Sequence, residues 1–197
     1  MLRRWCVYLL LFSSLAASAS AKSNPAQDTQ KNASTKLPVT TSSAQARNSF
    51  EKAMREFEQY RIPETLQDLR AATQADPKFA QAFILLSRMS PDPGEQASTR
   101  MRARQLAAKV SPSEQLLIRW LASAQENDYL PAISAMNDLL AKYPRDARLA
   151  FLAGDWLTLQ ERYHQAAVVL EPVGAEFKTA GAQRIDALPI DRILLQR

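Results

Sequence analysis

Asn127-Asp128-Tyr129-Leu130-Pro131-Ala132 and Glu161-Arg162-Tyr163-His164-Gln165-Ala166 lie 34 residues apart and share Tyr at the third and Ala at the sixth position. In this register Met136 falls on Leu170. A longer slide, one that puts Ile62 on Tyr129, also puts Thr65 on Ala132, Leu69 on Met136, Ala72 on Leu139 and Pro77 on Pro144. Pro112 stands between the last two prolines, so the longer slide reads as two periods of the shorter one. A period of about 34 residues marks a stack of supersecondary units, each too small to bury its own apolar face.

The units are helical. From Gln45 onward no alternating strand pattern occurs, and Ala, Leu, Gln, Arg and Glu, all good helix formers, dominate. Apolar residues recur at helical spacing in Phe50, Ala53, Met54 and Phe57, then Leu66, Leu69 and Ala72, then Phe83 and Leu86, then Leu116, Leu117, Trp120, Leu121 and Ala124. Prolines punctuate these runs. Ser111-Pro112-Ser113-Glu114 joins a capping box to a proline at the first helical position. Asp92-Pro93-Gly94-Glu95 offers the same arrangement, and Asp76-Pro77 is expected to start a helix with an Asp cap. The predicted fold is all-α, a solenoid of about four helix-turn-helix repeats over residues 45–171 with the last one irregular.

Two of the second helices carry a small residue, a large apolar one four later, an apolar one three later and Pro five later. Thr65, Leu69, Ala72, Pro77 and Ala132, Met136, Leu139, Pro144 follow this pattern, while Leu152-Ala153-Gly154 with Leu157 matches a first-helix motif in which Gly lets neighbouring helices approach. This resembles the tetratricopeptide repeat family. The chain departs from it at Arg100 and Arg104, at the Ser90-Pro91-Asp92-Pro93-Gly94 turn, at Trp120 where a small residue is usual, and at Pro172 inside the fourth second helix, with Lys178 in place of the terminal Pro. The resemblance implies a concave groove lined by the second, fifth and ninth positions of each repeat. These are Arg47, Phe50 and Met54; Gln81, Ile84 and Arg88; Glu114, Leu117 and Leu121; and Arg148, Phe151 and Asp155, of which the apolar members read as core before ligand contacts. It implies a protein or peptide partner and no cofactor.

The flanks read differently. Arg3 and Arg4, the apolar run from Trp5 to Phe12 and the small residues ending at Ala19-Ser20-Ala21 predict a signal peptide over residues 1–21, and therefore export to a periplasm or the cell exterior with no membrane span once it is removed. The only Cys, Cys6, leaves with it, and 23 basic residues then face 20 acidic ones. So small an excess gives no reason to expect nucleic acid or an anionic membrane as a partner. Residues 22–44 are rich in Ser, Thr, Asn, Gln, Lys and Ala, without an aromatic, and predict a disordered linker. Residues 172–197 lose the repeat pattern and read either as a capping helix or as the ragged end of a longer array, whose incomplete end also offers a surface for self-association.

Little points to chemistry. His164 is the single His and has no Cys beside it, no Gly-rich phosphate loop occurs, and no catalytic, metal or cofactor site is expected. Arg100, Arg102, Arg104 and Lys109 read as a solvated face before a phosphate stripe. The expected function is a non-catalytic, exported interaction scaffold. The alternatives are the truncated arm of a larger repeat protein, or a helical protein binding a small molecule or lipid.

Overall fold

A computed structural model describes residues 36–171 and Gly174. It is all-helical, and no strand occurs among these residues. The helices are α1 (Ala44–Glu58), α2 (Ile62–Ala75), α3 (Ala80–Met89), α4 (Pro93–Ala107), α5 (Pro112–Gln125), α6 (Tyr129–Lys142), α7 (Ala147–Leu159) and α8 (Tyr163–Leu170). They pair as α1–α2, α3–α4, α5–α6 and α7–α8, and successive pairs stack on one another, which is a helical repeat arrangement. The expected signal peptide and tail lie outside the described residues.

Local chemistry sets the helix ends. Ser111 caps α5 by accepting from the Glu114 N–H, and Glu114 reaches back to the Ser111 N–H, completing the box read from the sequence. Asp92 caps α4 through the Gly94 and Glu95 N–H groups. The Glu95 carboxylate turns away to Arg70 and Ser90, so this box is only half formed. The expected Asp76 cap is corrected. Asp76 closes α2, and its side chain makes a turn by accepting from the Lys78 N–H at 2.8 Å, so α3 begins only at Ala80.

The repeat register is written in the backbone as well. Tyr60, Asn127 and Glu161 end α1, α5 and α7 with φ of 55°, 61° and 58°, the left-handed conformation that closes a helix. Tyr60 stands to Asn127 as Ile62 stands to Tyr129, and Asn127 to Glu161 as Tyr129 to Tyr163, so both offsets of the sequence repeat recur here. After α3 the Ser90-Pro91-Asp92-Pro93 turn replaces this device, and no positive φ occurs there.

The first helices form an inner layer around one continuous core. Phe50 of α1 meets Phe79 at the start of α3 with ring centroids 4.9 Å apart. Helix α3 packs on α5. Trp120 of α5 meets Trp156 of α7 edge to face at 5.9 Å, and α7 returns to α1, where Phe57 and Phe151 pack edge to face at 5.3 Å. Repeats one and four therefore touch, and the stack closes on itself. Trp120, a departure from the expected repeat pattern, is fully buried and packs against Trp156. Such an aromatic pair contributes about 0.5–1.5 kcal/mol beyond its buried area. Crowding explains Gly154: a Cβ there would lie 2.7 Å from the Leu170 side chain of α8.

Arg100 and Arg104, the departures in α4, both reach Glu126 beyond the end of α5, at 3.3 and 2.5 Å. Arg102 donates to the Pro77 carbonyl. These arginines tie the second repeat to its neighbours on both sides.

Candidate functional site

Closure of the stack divides the expected groove by depth. The fifth positions Phe50, Ile84, Leu117 and Phe151 are buried, and so are Met54 and Leu121 of the ninth positions. They form core, and the solvent-open concave surface implied by the repeat pattern does not exist at this depth. The remaining ninth positions, Arg88 and Asp155, form an ion pair with each side chain only about one-tenth exposed. The Tyr60 hydroxyl reaches the same carboxylate at 3.4 Å. Burial pushes the Asp155 carboxyl above its ordinary range, opposed by the Arg88 charge and the Tyr60 hydrogen bond. Burial likewise lowers the Arg88 guanidinium, and it raises the Tyr60 phenol with the help of the Asp155 charge. Arg148, a second position, spans to α1 and holds Glu51 at 2.9 Å and Glu58 at 3.3 Å. Glu58 is raised by its own burial, against the pull of Arg148. These contacts lock the fourth repeat onto the first and second.

The second positions Arg47, Gln81 and Glu114 sit at the starts of α1, α3 and α5, where the inner layer opens to a mouth. An extended segment of the chain lies across it. Residues 36–43 form no helix, and they are the final part of what the composition reads as a linker. They do not leave the body at Ala44 as a free spacer. The Leu37 N–H donates to Asp146 Oδ2 at 2.7 Å. Gln81 Nε2 donates to the Pro38 carbonyl at 2.8 Å. Arg47 donates to the Val39 and Thr41 carbonyls at 3.0 and 3.2 Å. Thr40 gives Glu114 two hydrogen bonds, from its N–H to Oε1 at 2.8 Å and from its hydroxyl to Oε2 at 2.5 Å. The Thr41 hydroxyl donates to Asp76 Oδ2 at 2.5 Å. Leu37 and Val39 pack partly buried against the core. Composition alone hid this segment, because the side chains that hold it are remote in sequence: Glu114 from Thr40, and Asp146 from Leu37.

Two of the receptor groups are also held by the body itself. Glu114 is fully buried and also accepts from the Ser111 N–H and hydroxyl. Asp146 caps α7 by accepting from the Leu149 N–H at 3.1 Å. Gln81 is 1% exposed, and its Oε1 has no hydrogen-bond partner. Beside the segment, Arg47, Phe50, Glu51, Glu58 and Arg148 line a cleft of about 560 Å³.

A second depression of about 760 Å³ lies between α6 and α8, bordered by Tyr129, Ile133, Trp156, His164 and Val168. His164 is exposed there. Among the described residues no group of three or more His, Cys, Asp or Glu is placed to hold a metal, and no helix is long and apolar enough to cross a membrane.

Compared with models of known families, with curated proteins and with solved structures, the chain matches none. The arrangement itself therefore carries the functional reading.

Proposed function

We propose that this chain is an exported, non-catalytic scaffold of the tetratricopeptide kind, which binds a protein partner through an extended segment of that partner. The observation that carries the reading is the mouth of the inner layer, where side chains from four repeats grip an extended stretch of polypeptide mainly by its main chain. In the recognition of extended peptides, main-chain hydrogen bonds commonly give affinity and side-chain contacts give specificity. The signal-like segment that ends at Ala21 supports export, which predicts a mature form beginning at Lys22.

The test is selection of a displayed library of extended peptides against the folded chain. Enriched peptides whose binding is saturable, and which crosslink to the inner layer, support the scaffold. A folded chain that enriches nothing refutes it. A second reading, self-association, is favoured by Tyr129, Ile133 and Val168, exposed around the depression between α6 and α8, and by Leu130, 84% exposed nearby. Sedimentation across a range of concentrations decides it, since a monomer throughout removes this reading.

A further inference from the structure

Residues 36–43 behave as a ligand of the body. No main-chain group of residues 37–41 is bonded to another main-chain group among the described residues. Each hydrogen bond that ties these residues to the helices ends on a side chain of the body: Arg47, Asp76, Gln81, Glu114 or Asp146. Lys36, Thr40 and Ser42 stay exposed along the segment, so it lies over the mouth as the outermost layer. Most of these grips are on N–H or C=O groups, and the others are on the Thr40 and Thr41 hydroxyls. This chemistry reads an extended chain along its length and a hydroxyl at two positions.

One receptor group is left unmatched. Gln81 offers an amide with both a donor and an acceptor, the pair that a residue of extended main chain satisfies with its C=O and N–H. The donor is used by the Pro38 carbonyl, while the buried Oε1 is unpartnered. Pro38 has no N–H to supply. The tethered segment therefore leaves unfilled a hydrogen bond that a non-proline residue in its place can make.

On the scaffold reading above, we infer that the mouth is a peptide site whose resident occupant is the chain's own residues 37–41, and that its partner is an exposed extended segment of another protein with an apolar–X–apolar–Thr–Thr pattern, X being any residue with an N–H. The tether keeps the resident segment at an effective concentration of about 1 mM. A resident segment whose dissociation constant lies about a hundredfold below that concentration weakens an incoming peptide about a hundredfold. The added hydrogen bond at Gln81 favours the incoming peptide by about threefold to tenfold.

The test uses the full chain and fluorescent peptides of residues 36–43, one with the natural sequence and one carrying Pro38→Ala. Binding is measured by anisotropy to the wild-type chain and to a Thr40→Val, Thr41→Val chain, in which the resident segment is loosened and the receptor residues are untouched. The Pro38→Ala peptide is expected to bind the loosened chain at least tenfold tighter than the wild type, and severalfold tighter than the natural peptide does. Gln81→Ala in the loosened chain is expected to remove the advantage of the Pro38→Ala peptide. Helical melts confirm that each chain is folded.

No saturable binding to a folded loosened chain overturns the inference and makes the segment a structural clasp. Equal binding to both chains overturns it too, since the site then lies elsewhere. A loosened chain that dimerises with concentration and excludes the peptide assigns the site to a second copy in place of a partner. A chain that ignores these peptides yet binds library-selected ones away from Gln81 keeps the scaffold reading and loses this one.

Discussion

The Arg88–Asp155 pair is the sharpest test of how the stack closes. It joins α3 to α7 across a full intervening repeat, and each side chain is only about one-tenth exposed. Removing one member leaves the other charged in a largely dry interior, which costs about 3–5 kcal/mol, whereas replacing both by apolar groups is often close to neutral. We therefore expect Arg88→Met and Asp155→Leu each to lower the unfolding free energy by about 3–5 kcal/mol, and the double variant to lose less than either alone. In a body of this size such a loss lowers Tm by about 10 °C or more. Urea titration followed by far-UV circular dichroism measures all three.

The pH dependence adds a second readout. Burial holds the folded Asp155 carboxyl above its ordinary value, and Arg88 is the main force opposing that rise. Without Arg88 the folded carboxyl moves higher still. A carboxyl that binds its proton more tightly when folded favours the folded state at low pH, and that contribution is lost as pH rises through the folded pKa. The deficit of Arg88→Met is therefore greatest at about pH 7 and narrows on acidification toward the unfolded carboxyl value of about 3.9. Single variants that lose under about 1 kcal/mol, or a double variant that loses the full sum, would refute the buried, coupled pair.

Three further outcomes test the packing. Gly154→Ala gains helix propensity yet is expected to destabilise by about 1–2 kcal/mol, because the new Cβ collides with Leu170; thermal melts read the sign. Trp120→Ala empties the contact with Trp156 and is expected to cost about 3–5 kcal/mol in chemical denaturation. Glu161→Gly relieves a left-handed residue on an exposed turn and is expected to stabilise by about 0.5–1 kcal/mol, and a lower Tm would mean that the Glu161 side chain has a partner worth more than the strain.

Much of the candidate site was half visible in the sequence. The repeat register gave Arg47, Gln81 and Glu114 a shared position, and the structure puts all three on one mouth. The same register put Phe50, Ile84, Leu117 and Phe151 on one face that could be groove or core, and they are core. Period tells which residues share a face of a repeat. It carries no information on how tightly successive repeats coil, and the coil decides whether that face meets solvent or another helix. Nor did it reveal Asp146 as a receptor for Leu37, because the two lie at opposite ends of the array and neither belongs to a local motif with the other.

The sequence by itself determined the helices, their order and their phase. Those depend on contacts within a few residues: capping by Ser111 and Asp92, prolines in first turns, and apolar residues at helical spacing. Left-handed helix ends at Tyr60, Asn127 and Glu161 follow the same spacing. Only the tertiary structure decided that α7 returns to α1, that Arg88 finds Asp155, and that residues 36–43 are held on the body although their composition suits a free linker. Each of these depends on rotation summed over several repeats, and a small change in rotation per repeat, invisible in any one helix, moves the first repeat into or out of reach of the fourth.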